Sequence, residues 1–219
     1  MTEAEWRSET EPTRMWNLIR ASVGGRKRRL FAVECAKRAV MLNEALPQDI
    51  DKLLALIECV AEAGEGASIP DEYYDLVRSL KDELLSPTFS DRQRKAVQAA
   101  IDAGNRWLAV ASGVSYVIHH AAAAGPDVSQ EYLAQADLLR CVVPFPFRPV
   151  ALDPAWLTST VVALAQGIYG ERAFDRMPIL ADALQDAGCE NADVLDHCRD
   201  PQQVHVRGCW VVDLVLGLS

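Results

Sequence analysis

The chain has 219 residues, of which 50% are hydrophobic and 24% are charged, and its formal net charge is −9. This length accommodates one large domain or two small ones, and the composition is typical of a folded globular protein. Because contacts to phosphate groups need a basic surface, the acidic balance argues against nucleic acid as a partner.

A succession of helices is predicted for the first 140 residues. A capping box of Thr2 with Glu5 begins a short first helix, and Pro12 suits the first turn of the second. Apolar residues at spacings of three and four predict further helices over 30–41, 53–61, 70–84, 90–125 and 129–139. The alternative to one long helix over 90–125 is a break near Gly104 or Gly113. Each glycine in the interior of a helix lowers helix stability by about 1 kcal/mol relative to alanine.

A proline-rich segment, Pro144–Pro149, interrupts this helical pattern. Its prolines cannot donate ladder hydrogen bonds and its two phenylalanines argue against a flexible linker, so we expect an extended strap whose rings fill grooves between helices. A polyproline ligand for the aromatic groove of a partner is the alternative. Beyond the segment, helices are predicted over 154–169, 177–187, 192–199 and 206–216.

These patterns predict an all-α fold, since no segment alternates with a period of two. We expect a bundle of about nine helices, with the strap placed before the C-terminal helices. Residues 1–143 would form a helical domain, and residues 144–219 would form the strap and a C-terminal helical subdomain packed on it, with one single domain as the alternative. Trp156 and Trp210 are expected to anchor the core of the last helices.

Hydropathy and cysteine usage indicate a cytoplasmic protein. The acidic start, residues 1–6, lacks the apolar core of a signal peptide, and the run 107–125 contains too much alanine and glycine for a membrane span. The six cysteines are scattered over helical segments rather than clustered as in a small secreted domain, so we expect free thiols in a reducing compartment. The expected partner is another protein rather than a membrane.

Chemically reactive side chains concentrate in residues 188–210. This stretch holds three of the six cysteines and two of the four histidines: Cys189, His197, Cys198, His205 and Cys209. Thiolate and imidazole ligands favour zinc, which binds four of them tetrahedrally. His205 and Cys209 are four residues apart and would share a face of a helix, whereas His197 and Cys198 are adjacent and diverge, so only one of them would join. Cys189 would complete the set.

Two interpretations of the same residues do not involve a metal. In the first, Cys198 and Cys209 pack as small buried hydrophobes while the histidines cap helix ends. In the second, Cys209 is a nucleophile with His205 as its base, which requires a lowered thiol pKa that a sequence cannot show. We therefore predict no catalytic residue and no cofactor, with zinc as the alternative.

Three sequence elements carry a family resemblance: Met-Thr-Glu-Ala-Glu-Trp at 1–6, Arg-Lys-Arg-Arg-Leu-Phe-Ala-Val at 26–33, and His-Val-Arg-Gly-Cys-Trp-Val-Val-Asp-Leu at 205–214. With shorter elements they resemble an uncharacterised protein family abundant in planctomycete bacteria, over residues 1–42 and 131–219. The resemblance implies kinship without an established activity. Relatives tend to carry a cysteine-rich run after the Leu-Phe-Ala element, where this chain has only Cys35, which argues against a metal site there.

Two classes of function follow from these observations. We expect a non-enzymatic cytoplasmic helical module that binds another protein. The alternative is a small zinc- or thiol-dependent site in the C-terminal Cys/His cluster. The metal content of the purified protein separates the two.

Overall fold

The computed structural model describes residues 1–44, 46–62, 70–104 and 112–218. Over these ranges the chain contains twelve α-helices, two short 3-10 helices and no strand, which confirms the all-α prediction. The chain divides into two compact units, residues 1–136 and 137–219.

The first unit consists of helices from the N-terminus onward: α1 (Glu3–Ser8), α2 (Pro12–Ile19), α3 (Gly25–Met41), α4 (Asp49–Glu62), α5 (Asp71–Leu84), α6 (Asp91–Ala103), α7 (Ser112–Ala124) and the first part of α8 (Val128–Val142). The predicted capping box is present, because the Thr2 hydroxyl accepts from the Glu5 amide and the Glu5 carboxylate accepts from the Thr2 amide. In the core, the buried rings of Trp16 and Phe31 stack with their centroids 6.3 Å apart.

The second unit contains the end of α8 and the last helices of the chain: α9 (Ser159–Glu171), α10 (Met177–Asp186), α11 (Ala192–Arg199) and α12 (Trp210–Leu216). Short 3-10 helices at Pro154–Trp156 and Phe174–Arg176 precede α9 and α10. Helices as short as α11 and α12 are marginal alone, so their stability comes from a core to which all five helices contribute. Trp210 is buried in this core as predicted, whereas Trp156 packs against its edge.

Helix number differs from the sequence prediction. The described residues form twelve α-helices where about nine were expected, in part because the run 90–125 is divided. Helix α6 ends at Ala103 with Gly104 as its cap, at one of the two glycines where a break was predicted. A side chain on Gly104 would collide with the Tyr73 ring, which explains the glycine at this position. Residues 105–111 lie outside the described residues.

The proline segment also differs from its prediction, because it turns at residues 146–148 instead of running as an extended strap. The rings of Phe145 and Phe147 contact each other, with centroids 5.5 Å apart. The Arg148 guanidinium lies 5.2 Å from the centroid of the Phe145 ring and forms an ion pair with Asp193 of α11 at 3.1 Å. These contacts fold the segment on itself within the second unit.

The division between the units falls inside α8 rather than at the predicted boundary of 143/144. The last turn of α8 carries Cys141, which is buried in the core of the second unit. The helix therefore continues across the division, and the proline segment lies within the second unit. None of the described helices is both long enough and apolar enough to cross a membrane.

Candidate metal centre

Four potential metal ligands converge in the second unit: Cys141, His197, His205 and Cys209. One ligand atom from each lies within 4.8 Å of all the others. The four residues come from different parts of the fold, since Cys141 is in the last turn of α8, His197 is in α11, His205 is in the following loop and Cys209 is the N-cap of α12. Both cysteines are fully buried, and both histidines are partly buried.

A tight turn brings His205 and Cys209 together. The Cys209 amide donates a hydrogen bond to the Val206 carbonyl at 2.9 Å, which closes a turn over residues 206–209. Gly208 occupies the third position of this turn with a φ of 86°, a conformation that type II turns require and that favours glycine. Helix α12 therefore begins at Trp210 rather than at residue 206, and the predicted proximity of His205 and Cys209 arises from the turn instead of a helix face.

Side-chain contacts hold this turn and its loop on the helices. The Gln203 amide group donates to the Asp137 carbonyl of α8 at 3.2 Å. On the other side, the Arg207 guanidinium lies 5.3 Å from the centroid of the Tyr169 ring of α9. These two contacts lie on either side of His205 and hold the loop that carries it on α8 and α9.

The Cys209 sulfur lies at the centre of the cluster. It is 3.4 Å from Nε2 of His197 and 3.7 Å from Nδ1 of His205, and it is hydrogen-bonded to the Cys141 thiol. In a tetrahedral zinc site, bond lengths of about 2.3 Å to sulfur and about 2.0–2.1 Å to nitrogen place the two ligand atoms about 3.6 Å apart. The two observed sulfur–nitrogen separations fall on either side of this value, and the other pairs of ligand atoms lie within 4.8 Å.

Backbone and aromatic groups complete the surroundings of the four ligands. The Val206 amide donates a hydrogen bond to the Cys141 sulfur at 3.4 Å. The His197 ring packs against the His205 ring and against Trp210, with centroid distances of 4.9 Å and 5.2 Å. These contacts restrict the orientation of the His197 ring within the cluster.

One polar atom in the cluster has no hydrogen-bond partner within the described structure. It is Nε2 of His205, which is buried. A buried ring nitrogen without a partner costs about 1–3 kcal/mol. The ring nitrogen that faces the Cys209 sulfur is the other one, Nδ1, at 3.7 Å.

The electrostatic balance at Cys209 favours a thiolate. Burial by itself raises the pKa of this thiol. The hydrogen bond from Cys141, the charge of His197 and the hydrogen bonds from both histidines outweigh burial and place the pKa well below its usual value. The thiolate is the form of cysteine that binds a metal.

Three of the five predicted ligands belong to the cluster, and two do not. Cys189 follows α10 and Cys198 lies in α11, and both are buried in the apolar core outside the group of four. Burial raises the pKa of both thiols, as expected for cysteines that pack as small hydrophobes. Of the adjacent residues His197 and Cys198, only His197 belongs to the group of four.

Cys141 is the ligand that the sequence analysis missed. It lies far upstream of the tail, at the end of a helix and before the proline segment, where no spacing rule connects it with His197 or Cys209. Apart from Arg140, its nearest neighbours in the sequence are apolar, which favours its interpretation as an ordinary core residue. Only the structure shows that Cys141 lies beside His197, His205 and Cys209.

The other two histidines take no part in the cluster. Nδ1 of His119 lies 2.9 Å from the Tyr132 hydroxyl, and Nδ1 of His120 lies 2.7 Å from the Asp102 carboxylate. The two adjacent rings therefore point to different partners.

Comparisons of the chain with protein-family models, with curated proteins and with solved structures yield no match.

Proposed function

We propose that the second unit is a zinc-binding module in which Cys141, His197, His205 and Cys209 hold one Zn²⁺ ion. The observation that carries the proposal is the convergence of two sulfurs and two imidazoles from four separate segments, with all ligand atoms within 4.8 Å of one another. Sulfur and nitrogen ligands in a tetrahedral set of four are characteristic of zinc.

Charge balance supports the same assignment. Two thiolates and two neutral imidazoles carry a charge of −2, which a divalent ion neutralises. An isolated charge at a buried position is expensive, whereas a neutral complex is compatible with the fully buried sulfurs of Cys141 and Cys209.

The site would be structural rather than catalytic. Four protein ligands fill the tetrahedral coordination of zinc and leave no position for water or substrate. Both sulfurs are fully buried, which also disfavours the alternative of a Cys209 nucleophile, since a substrate of more than a few atoms could not reach it. The ion would hold α8, α11, α12 and the loop before α12 together, so that its binding free energy becomes folding free energy.

A protein-interaction role in the cytoplasm stays a prediction from the sequence, as does the kinship with the planctomycete family. A structural zinc ion is compatible with both, because it would stabilise the fold without taking part in a reaction.

Metal analysis of protein purified without a histidine tag tests the proposal. We expect one zinc ion per chain in the wild type and in Cys198→Ala, and none in Cys209→Ala. Cys198 is the matched control, since it is buried in the same core but lies outside the cluster. A wild-type protein that is folded, free of metal and unable to take up added zinc would refute the proposal.

A further inference from the structure

The two sulfurs of the cluster lie next to each other. Sγ of Cys141 and Sγ of Cys209 lie within 4.8 Å of each other. A disulfide has an S–S length of about 2.05 Å, so the sulfurs would need to approach by about 2.8 Å at most. Cys141 is in the last turn of its helix and Cys209 precedes the first turn of its own, where the backbone can adjust more readily than within a helix.

We infer that a peroxide oxidant joins Cys141 and Cys209 in a disulfide and thereby releases the metal. This inference rests on the proposed zinc site. It identifies the site as one that binds zinc when the thiols are reduced and loses it when they are oxidised.

The reaction takes place in two steps. In the first, a cysteine sulfur attacks hydrogen peroxide: an S–O bond forms, the O–O bond breaks, and the departing hydroxide takes a proton to become water. In the second, the other sulfur attacks the resulting sulfenic acid: the S–S bond forms, the S–O bond breaks, and a second hydroxide leaves as water after taking a proton. The two sulfurs lose two electrons, which the peroxide gains.

Loss of the metal follows from the change in ligands. Sulfur in a disulfide no longer has the thiolate charge that binds zinc, so only the two imidazoles would remain. These imidazoles are also the partly exposed members of the cluster, so they mark the side from which a small peroxide can approach the buried sulfurs.

Cysteines outside the cluster could form other disulfides, so the Cys141–Cys209 pairing can be tested against them. All six thiols are free, and Cys198 is close enough to Cys209 for the two to interact electrostatically. Cys198 is therefore the competing partner for Cys209. Cys59 is exposed and could link two molecules, so the experiment is best performed with Cys59→Ser.

The test treats reduced, zinc-loaded Cys59→Ser protein with hydrogen peroxide. Released zinc is followed with a chromogenic indicator, and disulfides are mapped by mass spectrometry after alkylation and digestion. We expect one Cys141–Cys209 disulfide for each zinc ion released, and the same result when Cys198→Ala is added. A thiol reductant followed by zinc should restore the metal content.

Two results would overturn the inference while leaving the zinc site intact. One is zinc that stays bound while peroxide oxidises an equal concentration of added glutathione. The other is zinc release without a Cys141–Cys209 disulfide, either because Cys209 is joined to Cys198 or because sulfinic acids form. A protein that holds no zinc before peroxide is added would instead overturn the proposed function together with this inference.

Discussion

Replacing Gly208 by alanine probes the turn that places two of the ligands. Gly208 has a φ of 86°, and an L-amino acid with a side chain pays about 1–2 kcal/mol in the left-handed region. In the metal-free protein the loop is held only by weak contacts such as that of Gln203 with the Asp137 carbonyl, so it can shift and relieve this strain. With zinc bound it cannot, because His205 and Cys209 are both fixed. We therefore expect Gly208→Ala to weaken zinc binding by about 5- to 30-fold, the factor that corresponds to this energy.

Gly188→Ala is the matched control for this substitution. Gly188 also has a positive φ, 89°, and no atom lies within 4 Å of a side chain added there. Gly188 lies just after the end of α10, outside the loop that carries His205. The backbone strain caused by an alanine at this position would therefore be the same with and without metal. Gly188→Ala should lower the free energy of unfolding by about 1–2 kcal/mol and leave the affinity for zinc unchanged.

Competition with a zinc-binding indicator measures both affinities, and chemical denaturation measures both stabilities. The reasoning would be refuted by equal losses of affinity in the two variants, or by Gly208→Ala protein that binds zinc as tightly as the wild type.

Three further predictions follow from the cluster and its surroundings. Cys141→Ala should abolish zinc binding, whereas Cys189→Ala should retain one zinc per chain in metal analysis; the opposite pattern would favour the ligand set predicted from the sequence. Free zinc at about 1,000 times its Kd should raise the free energy of unfolding of the second unit by about 4 kcal/mol in denaturation experiments with reductant present. A chelator should remove this gain, and an unfolding curve that a chelator does not change would count against a structural metal. Trp210→Ala should lower the free energy of unfolding by about 3–5 kcal/mol, because this ring is buried in the core and packs on His197. Trp156→Ala should lower it by less, since Trp156 is only partly buried. Equal losses in the two variants would show that the degree of burial does not decide the effect.

Local patterns predicted the helices of this protein well, because capping residues and apolar spacing act over a few residues. The capping box at Thr2 and the end of a helix at Gly104 are signals of this kind. The start of α12 was placed too early, since the apolar spacing continues through residues 206–209 while the positive φ of Gly208 prevents a helix there. The proline segment was predicted as extended because its contacts, such as that of Arg148 with Asp193, come from elsewhere in the chain.

The candidate site was predictable only where its residues are close in the sequence. His205 and Cys209 were paired correctly, although a turn rather than a helix brings them together. Cys141 could not be predicted as a member of the site, because it is far from residues 197–209 in the sequence. It comes close to them only through the packing of α8 in the core of the second unit. Cys189 was chosen for its proximity in sequence, but its side chain is buried among apolar residues after α10.

X-ray absorption spectroscopy of the zinc-loaded protein tests the central claim most directly, because it counts the sulfur and nitrogen atoms bound to the metal. We expect two sulfurs at about 2.3 Å and two nitrogens at about 2.0–2.1 Å from the zinc ion. Three sulfurs would place Cys189 or Cys198 among the ligands, and a bound water oxygen would show an open site; either result would contradict a closed site formed by Cys141, His197, His205 and Cys209.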